Sequence, residues 1–94
     1  MFDEVEFEWD KGNKDKNKKH NVSNNEAEEV FFDRRVKIFP DPTHSLTENR
    51  FILLGKTKNG RLLFIVFTNR KNKIRIVSAR DINKKEVYLY EEKT

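Results

Sequence analysis

The stretch that most constrains this chain is RFILLGKTKNGRLLFIVFTN, residues 50–69. Two apolar runs, each too short for a stable helix, flank Asn59-Gly60, a dipeptide suited to a two-residue turn with positive φ at both positions. A β-hairpin is expected. Residues 62–67 are apolar at every position, so this strand should be covered on both faces and lie centrally. After the polar RKN, KIRIVSAR at 73–80 turns back to extend the hairpin into an antiparallel meander. Upstream, VKIF at 36–39 alternates as a strand does and ends at PDPTH, whose two prolines break pairing and predict a loop through about Glu48.

The segments on either side carry helix signals. Ser23 and Glu26 have the spacing of a capping box, with Val22 and Ala27 placed as a hydrophobic staple, and Ala27, Val30 and Phe31 form one apolar stripe. Asn83 and Glu86 repeat the capping spacing and open a short helix that carries Val87 and Tyr90 inward. At the N-terminus VEFEW alternates, placing Val5, Phe7 and Trp9 on one face of a half-buried strand. Between Asp10, a candidate cap, and His20 lies a basic stretch with no apolar residue, which reads as a separate first helix. The element order is then β-α-α-β-β-β-β-α. That makes residues 1–94 one α+β domain whose mainly antiparallel sheet packs on two N-terminal helices.

Composition narrows the chemistry. The chain has no cysteine and two histidines, so disulfides and thiolate chemistry are excluded and a structural zinc site is disfavoured. His20, His44 and Asp41 could meet at a metal only as a sparse set, and no metal or other cofactor is expected. The three glycines are too scattered for a phosphate loop. No long apolar run exists, so the protein is expected in the cytoplasm and away from membranes. The formal charge is +4, with basic clusters at 11–20, 34–37, 56–61 and 69–75, a distribution suited to a polyanionic partner.

The candidate site residues are Lys18, Lys19 and His20 at the end of the basic stretch, Arg50, Arg61, Arg75 and Arg80 on or beside strands, and Ser78 and Tyr88 near them. Such a set could cleave RNA without a metal. A base takes the 2′-hydroxyl proton, cations stabilise charge developing on the phosphate, and an acid protonates the leaving 5′-oxygen. Histidine is the best proton-transfer group near neutral pH. Each residue also has a plainer explanation: solvated lysines, arginines deterring sheet-edge aggregation, or a histidine favoured at a helix C-terminus. A non-catalytic nucleic-acid-binding module and a pure protein-interaction module remain alternatives.

Taken together, FEWD at 7–10, KKH, VS and EAEEVFFD within 18–33, DPTHS and ENRFILLG within 41–55, GRLLFIVFT at 60–68 and IRIVSAR at 74–80 resemble the BrnT family of type II toxin–antitoxin systems. The resemblance implies a RelE-like fold and a toxin that cleaves RNA and inhibits translation. It also implies neutralisation by a BrnA antitoxin with a ribbon-helix-helix part, in a heterotetramer or larger assembly that meets operator DNA only through the antitoxin. By the same resemblance Lys19 and His20 match the family's Lys-His pair, Arg50 its strand arginine, and Arg75, Ser78 and Arg80 its last-strand motif. One departure is that no apolar residue separates Asn17 from Lys18-Lys19-His20. In a helix that deletion would rotate Lys19 and His20 by roughly 100°.

Overall fold

The computed structural model describes residues 4–44 and 48–92, without the side chain of His44. Part of the loop expected after the two prolines, residues 45–47, lies outside the described residues. Four strands, β1 (Lys37–Pro40), β2 (Arg50–Lys56), β3 (Leu62–Arg70) and β4 (Lys73–Asp81), form one antiparallel sheet in the order β1-β2-β3-β4. Two α-helices accompany it, α1 (Asn24–Glu29) and α2 (Lys84–Glu91), with short 3-10 turns at Lys18–His20, Val30–Phe32 and Pro42–His44.

Both helix starts follow the sequence signals. Ser23 and Glu26 bond reciprocally at the head of α1, and Asn83 and Glu86 do so at the head of α2. The hairpin differs in its turn. Thr57 and Arg61 close a loop of Lys58, Asn59 and Gly60, in which Gly60 N–H bonds the Thr57 carbonyl and only Gly60 takes a positive φ, 89°. A three-residue loop with glycine in the left-handed region matches strand twist as a primed two-residue turn would.

One sheet face is the core. The register aligns Ile38, Leu53, Ile65 and Ala79 in one row and Phe51, Phe67 and Ile76 in the next, and directly opposed residues share a face. Against them pack Val22, Ala27, Val30 and Phe31 from α1 and its flanks. The layers approach closely at Gly55, where a Cβ would stand 2.7 Å from the Val30 carbonyl oxygen. Phe7, Phe31, Phe67 and Phe51 continue the core as ring contacts with centroids 5.1, 5.1 and 5.5 Å apart in that order. The opposite face is less covered than an all-apolar β3 suggests: Phe64 and Val66 are only half-buried.

The N-terminal third departs most from expectation. Val5, Phe7 and Trp9 do pack on the core, but the segment pairs with the sheet through one parallel bridge, Phe7 to Ile74, and is not a full strand. The basic stretch is not an α-helix either. Residues 11–17 form consecutive turns that end in the single 3-10 turn Lys18–His20. Gly12 and a run of side chains without an apolar stripe give a helix nothing to bury along one side. What the stretch buries instead is two asparagines, Asn13 at 2% and Asn17 at 1% exposure. A rotation of Lys19 and His20 within a helix therefore has no counterpart here.

Candidate functional site

The N-terminal segment runs along the outer edge of β4. Glu8 N–H donates to the Ile74 carbonyl and Ile74 N–H to the Glu6 carbonyl, so the backbone groups of Ile74 point away from β3. Two residues on, the Ile76 carbonyl points the same way, and there the Asn13 side-chain amide donates to it at 3.0 Å. Asn13 also donates to the Glu8 carbonyl and accepts from Asp10 N–H, so its amide continues the ladder where the main chain departs. A strand edge that would otherwise stand open is thus closed.

That bond lies beside a break in register. Phe67 opposes Ile76 while Val66 opposes Ser78, so Val77 is an extra residue in β4. A bulge of this kind shifts the alternation by one. Arg75 and Ser78, three apart, would face opposite ways in a regular strand; here both join Arg80 on the face away from the core. Cross-strand partners complete the rows: Arg50, Thr68 and Arg75; Phe39, Ile52, Val66 and Ser78; Lys37, Leu54, Phe64 and Arg80. The signal was present in IRIVSAR, whose inward residues Ile74, Ile76 and Ala79 skip one step.

Each arginine has its own setting. The Arg80 guanidinium lies 3.9 Å from the Phe64 ring centroid and makes paired bonds of 2.9 and 2.8 Å to Glu86. Glu86 is the same residue that caps α2, and although burial pushes its pKa up, Arg80 and the Asn83 N–H hold it below the usual value. Arg75 donates to Glu8 and twice to Asp10, at 2.9, 2.7 and 2.9 Å. Those bonds, with one from Gly12 N–H, hold Asp10 at about 2 against an ordinary 3.8. Arg50 is half-buried opposite Thr68.

Arg61 stands apart from this face. It donates to both oxygens of Asp81, to Glu26, and to the carbonyls of His20 and Asn21. Its pKa is raised, chiefly by Asp81. Arg61 therefore fastens the 3-10 turn and α1 to the end of β4. His20 itself is exposed on the β4 edge, near enough to Asp81 for its charge to lower the Asp81 pKa after the larger effect of Arg61. Lys18 and Lys19 are exposed beside it, Lys18 paired with Asp15 at 3.2 Å. Tyr88 is 77% exposed on α2. It lies two residues from Glu86, a spacing that turns it away from Arg80.

The structure thus gathers Arg50, Arg75, Ser78 and Arg80 on one face, places His20 with Arg61 beside Asp81, whose partner Leu63 belongs to the core side, and leaves Lys18 and Lys19 exposed in the turn that ends at His20 and Tyr88 exposed on α2. Among the described residues no three histidine, aspartate or glutamate side chains form a group that could hold a metal ion. No described helix is long and apolar enough to cross a membrane. Asn13, and the pairing of the capping residue Glu86 with Arg80, escaped the sequence reading, because each acts on a residue outside its own local motif.

Fold and face together define a small α+β protein that presents ordered cations on a half-open antiparallel sheet. A family model described as ribonuclease toxin, BrnT, of type II toxin-antitoxin system matches residues 9–86, and the chain belongs to that family. Membership implies an antitoxin protein as partner. No curated protein matches the chain.

Proposed function

We propose that the protein is a metal-independent endoribonuclease toxin of RelE-like fold, with RNA lying across the sheet face that carries Arg50, Ser78 and Arg80. The observation that carries this reading is the β4 bulge, which aligns Ser78 and Arg80 with Arg50's side of the sheet. The 2′-hydroxyl attacks the adjacent phosphorus and the 5′-oxygen leaves, giving a 2′,3′-cyclic phosphate. Arg80, fixed between Phe64 and Glu86, and Arg50 meet the charge that develops on the phosphate oxygens. His20, across the β4 edge beside Asp81, exchanges protons, and Lys18 and Lys19 hold the flanking backbone. Arg75, with both terminal nitrogens bound to carboxylates, positions the edge segment.

Family membership supports an antitoxin partner; on this reading it is a BrnA-like ribbon-helix-helix protein, in a heterotetramer or larger assembly that contacts operator DNA only through the antitoxin, in the cytoplasm. Purified protein incubated with RNA and a chelator tests the chemistry. Cleavage should persist and leave cyclic phosphate ends; cleavage abolished by the chelator and restored by added metal would overturn the metal-free reading. Arg80→Ala and His20→Ala should each remove cleavage in folded protein. Full activity in both would displace the site.

A further inference from the structure

Two of the basic clusters in the sequence, 34–37 and 56–61, have no part in the site above, yet the fold brings members of both to one place. A groove of about 800 Å³ at the β1 side of the molecule is lined by Arg34, Arg35, Lys37 and Lys56, with Glu91 and Glu92 on the α2 wall. Asp33 ties its parts together. Its carboxylate accepts from Arg35 N–H at 3.1 Å, Lys56 N–H at 2.9 Å and the Tyr90 hydroxyl at 2.5 Å, joining the turn after Phe32, the end of β2 and α2. The Tyr90 phenol is pushed above its ordinary pKa by burial and by Asp33, while the nearby Arg35 charge pulls the other way.

The contrast with the other arginines decides what the groove suits. Arg61, Arg70, Arg75 and Arg80 are each paired with carboxylates of this chain. Arg34 and Arg35 are exposed, and among the described residues neither side chain has an ion pair or hydrogen bond. Lys37 bonds a main-chain carbonyl, that of Glu92, and Lys56 lies 6.0 Å from the Tyr90 ring centroid. Counting Asp33, Glu91 and Glu92 against the four cations, the groove keeps a positive excess. Lys37 shares its row with Leu54, Phe64 and Arg80, about 14 Å away across three strand spacings, and α2 meets both ends of that row, through Glu86 at Arg80 and Glu92 at Lys37, with Leu54 buried between them.

We propose that this groove is a second phosphodiester-binding subsite that holds the backbone of single-stranded RNA beyond the segment lying on the sheet face, with Arg34 and Arg35 as the principal contacts. The inference rests on the ribonuclease reading for its ligand class. Guanidinium forks take phosphate oxygens in pairs, and release of counterions makes such contacts salt-dependent.

The test uses 2′-O-methyl oligoribonucleotides, which lack the attacking hydroxyl, in a short and a long form, against wild type and the Arg34→Gln/Arg35→Gln double variant, with melting curves confirming the fold. Wild type should gain affinity on lengthening the RNA, and the variant should lose most of that gain. Its salt slope, log affinity against log salt, should fall by about 1.4 for two lost phosphate contacts. An unchanged slope and unchanged length gain overturn the groove. If the variant instead loses affinity for an acidic peptide but not for RNA, the groove is a protein-docking surface and the proposal fails. Cleavage of unmodified RNA by wild type is scored separately: its absence, with the length gain present and lost in the variant, sinks the ribonuclease reading and leaves the groove standing.

Discussion

Replacing Asn13 by alanine tests whether the lysine-rich segment matters for its asparagines. Asn13 is 2% exposed and makes three hydrogen bonds, from Asp10 N–H at 2.8 Å, to the Glu8 carbonyl at 2.9 Å and to the Ile76 carbonyl at 3.0 Å. The last is buried, and a buried acceptor that loses its donor costs about 1–3 kcal/mol. The two part-buried bonds contribute about 0.5 kcal/mol each once water replaces them. The sum is about 3 kcal/mol. For a domain of this size each kcal/mol moves the melting temperature by about 4–8 °C, so Asn13→Ala should melt on the order of 12–24 °C lower.

Circular dichroism melts measure that directly, and Asn13→Asp serves as the partner variant. Aspartate keeps the acceptor for Asp10 N–H and loses both donors, so it should be no more stable than alanine. A second readout separates positioning from stability. At a temperature where the variant is fully folded, RNA cleavage should still fall, because the Ile76 carbonyl beside the bulge is no longer held and Ser78 and Arg80 lose their fixed offset from Arg75. A melting shift under about 4 °C, equivalent to less than 1 kcal/mol, would refute the reasoning. It would mean that water substitutes for the amide at no cost.

Three further outcomes are expected. Because Asp10 is lowered from 3.8 to about 2 by Arg75, its stabilisation is fully present above pH 3.8 and is lost as the pH falls toward about 2. Glu26, Asp81 and Glu86 are lowered as well, so acid melts of wild type beside Arg75→Gln isolate the Asp10 share, and parallel curves would contradict it. Gly55→Ala should cost about 3 kcal/mol or prevent folding, since the new methyl meets the Val30 backbone oxygen at 2.7 Å; a denaturant midpoint equal to wild type would show that the layers can separate. Arg61→Ala should cost about 2 kcal/mol by releasing the His20 and Asn21 carbonyls. If Arg61→Ala lowers RNA affinity at unchanged melting temperature, Arg61 touches substrate after all.

Much of the fold was legible because its signals are local. Ser23 with Glu26 and Asn83 with Glu86 close their capping boxes within four residues, and the meander follows from runs separated by short polar turns. The basic stretch was not legible as turns, since the groups that hold it are far along the chain: Asn13 answers to Ile76, 63 residues away. Periodicity finds apolar stripes, and it is silent about a segment that docks through a buried amide. The arrangement of the candidate site was half legible for the same reason. Arg50, Ser78 and Arg80 share a face through strand register and one bulge, both readable in principle, whereas the standing of each arginine depends on where its carboxylate comes from.

That dependence separates the arginines by role. Arg75 is 14% exposed and bound by acids 65 and 67 residues distant, so its charge is spent on closing the sheet edge. Arg80 is bound by Glu86, which also caps α2, so the same carboxylate that starts the helix orients the guanidinium over Phe64. An arginine fixed before substrate arrives loses little freedom on meeting a phosphate, yet the phosphate must compete with Glu86 for the same fork. Arg34 and Arg35 have the opposite properties, with no carboxylate to displace and more motion to lose. If RNA binds as proposed, binding energy for a long strand is easiest to gain at the groove, and it would offset the exchange at Arg80, where an interaction made only as charge builds on the phosphate would favour the transition state over the bound substrate.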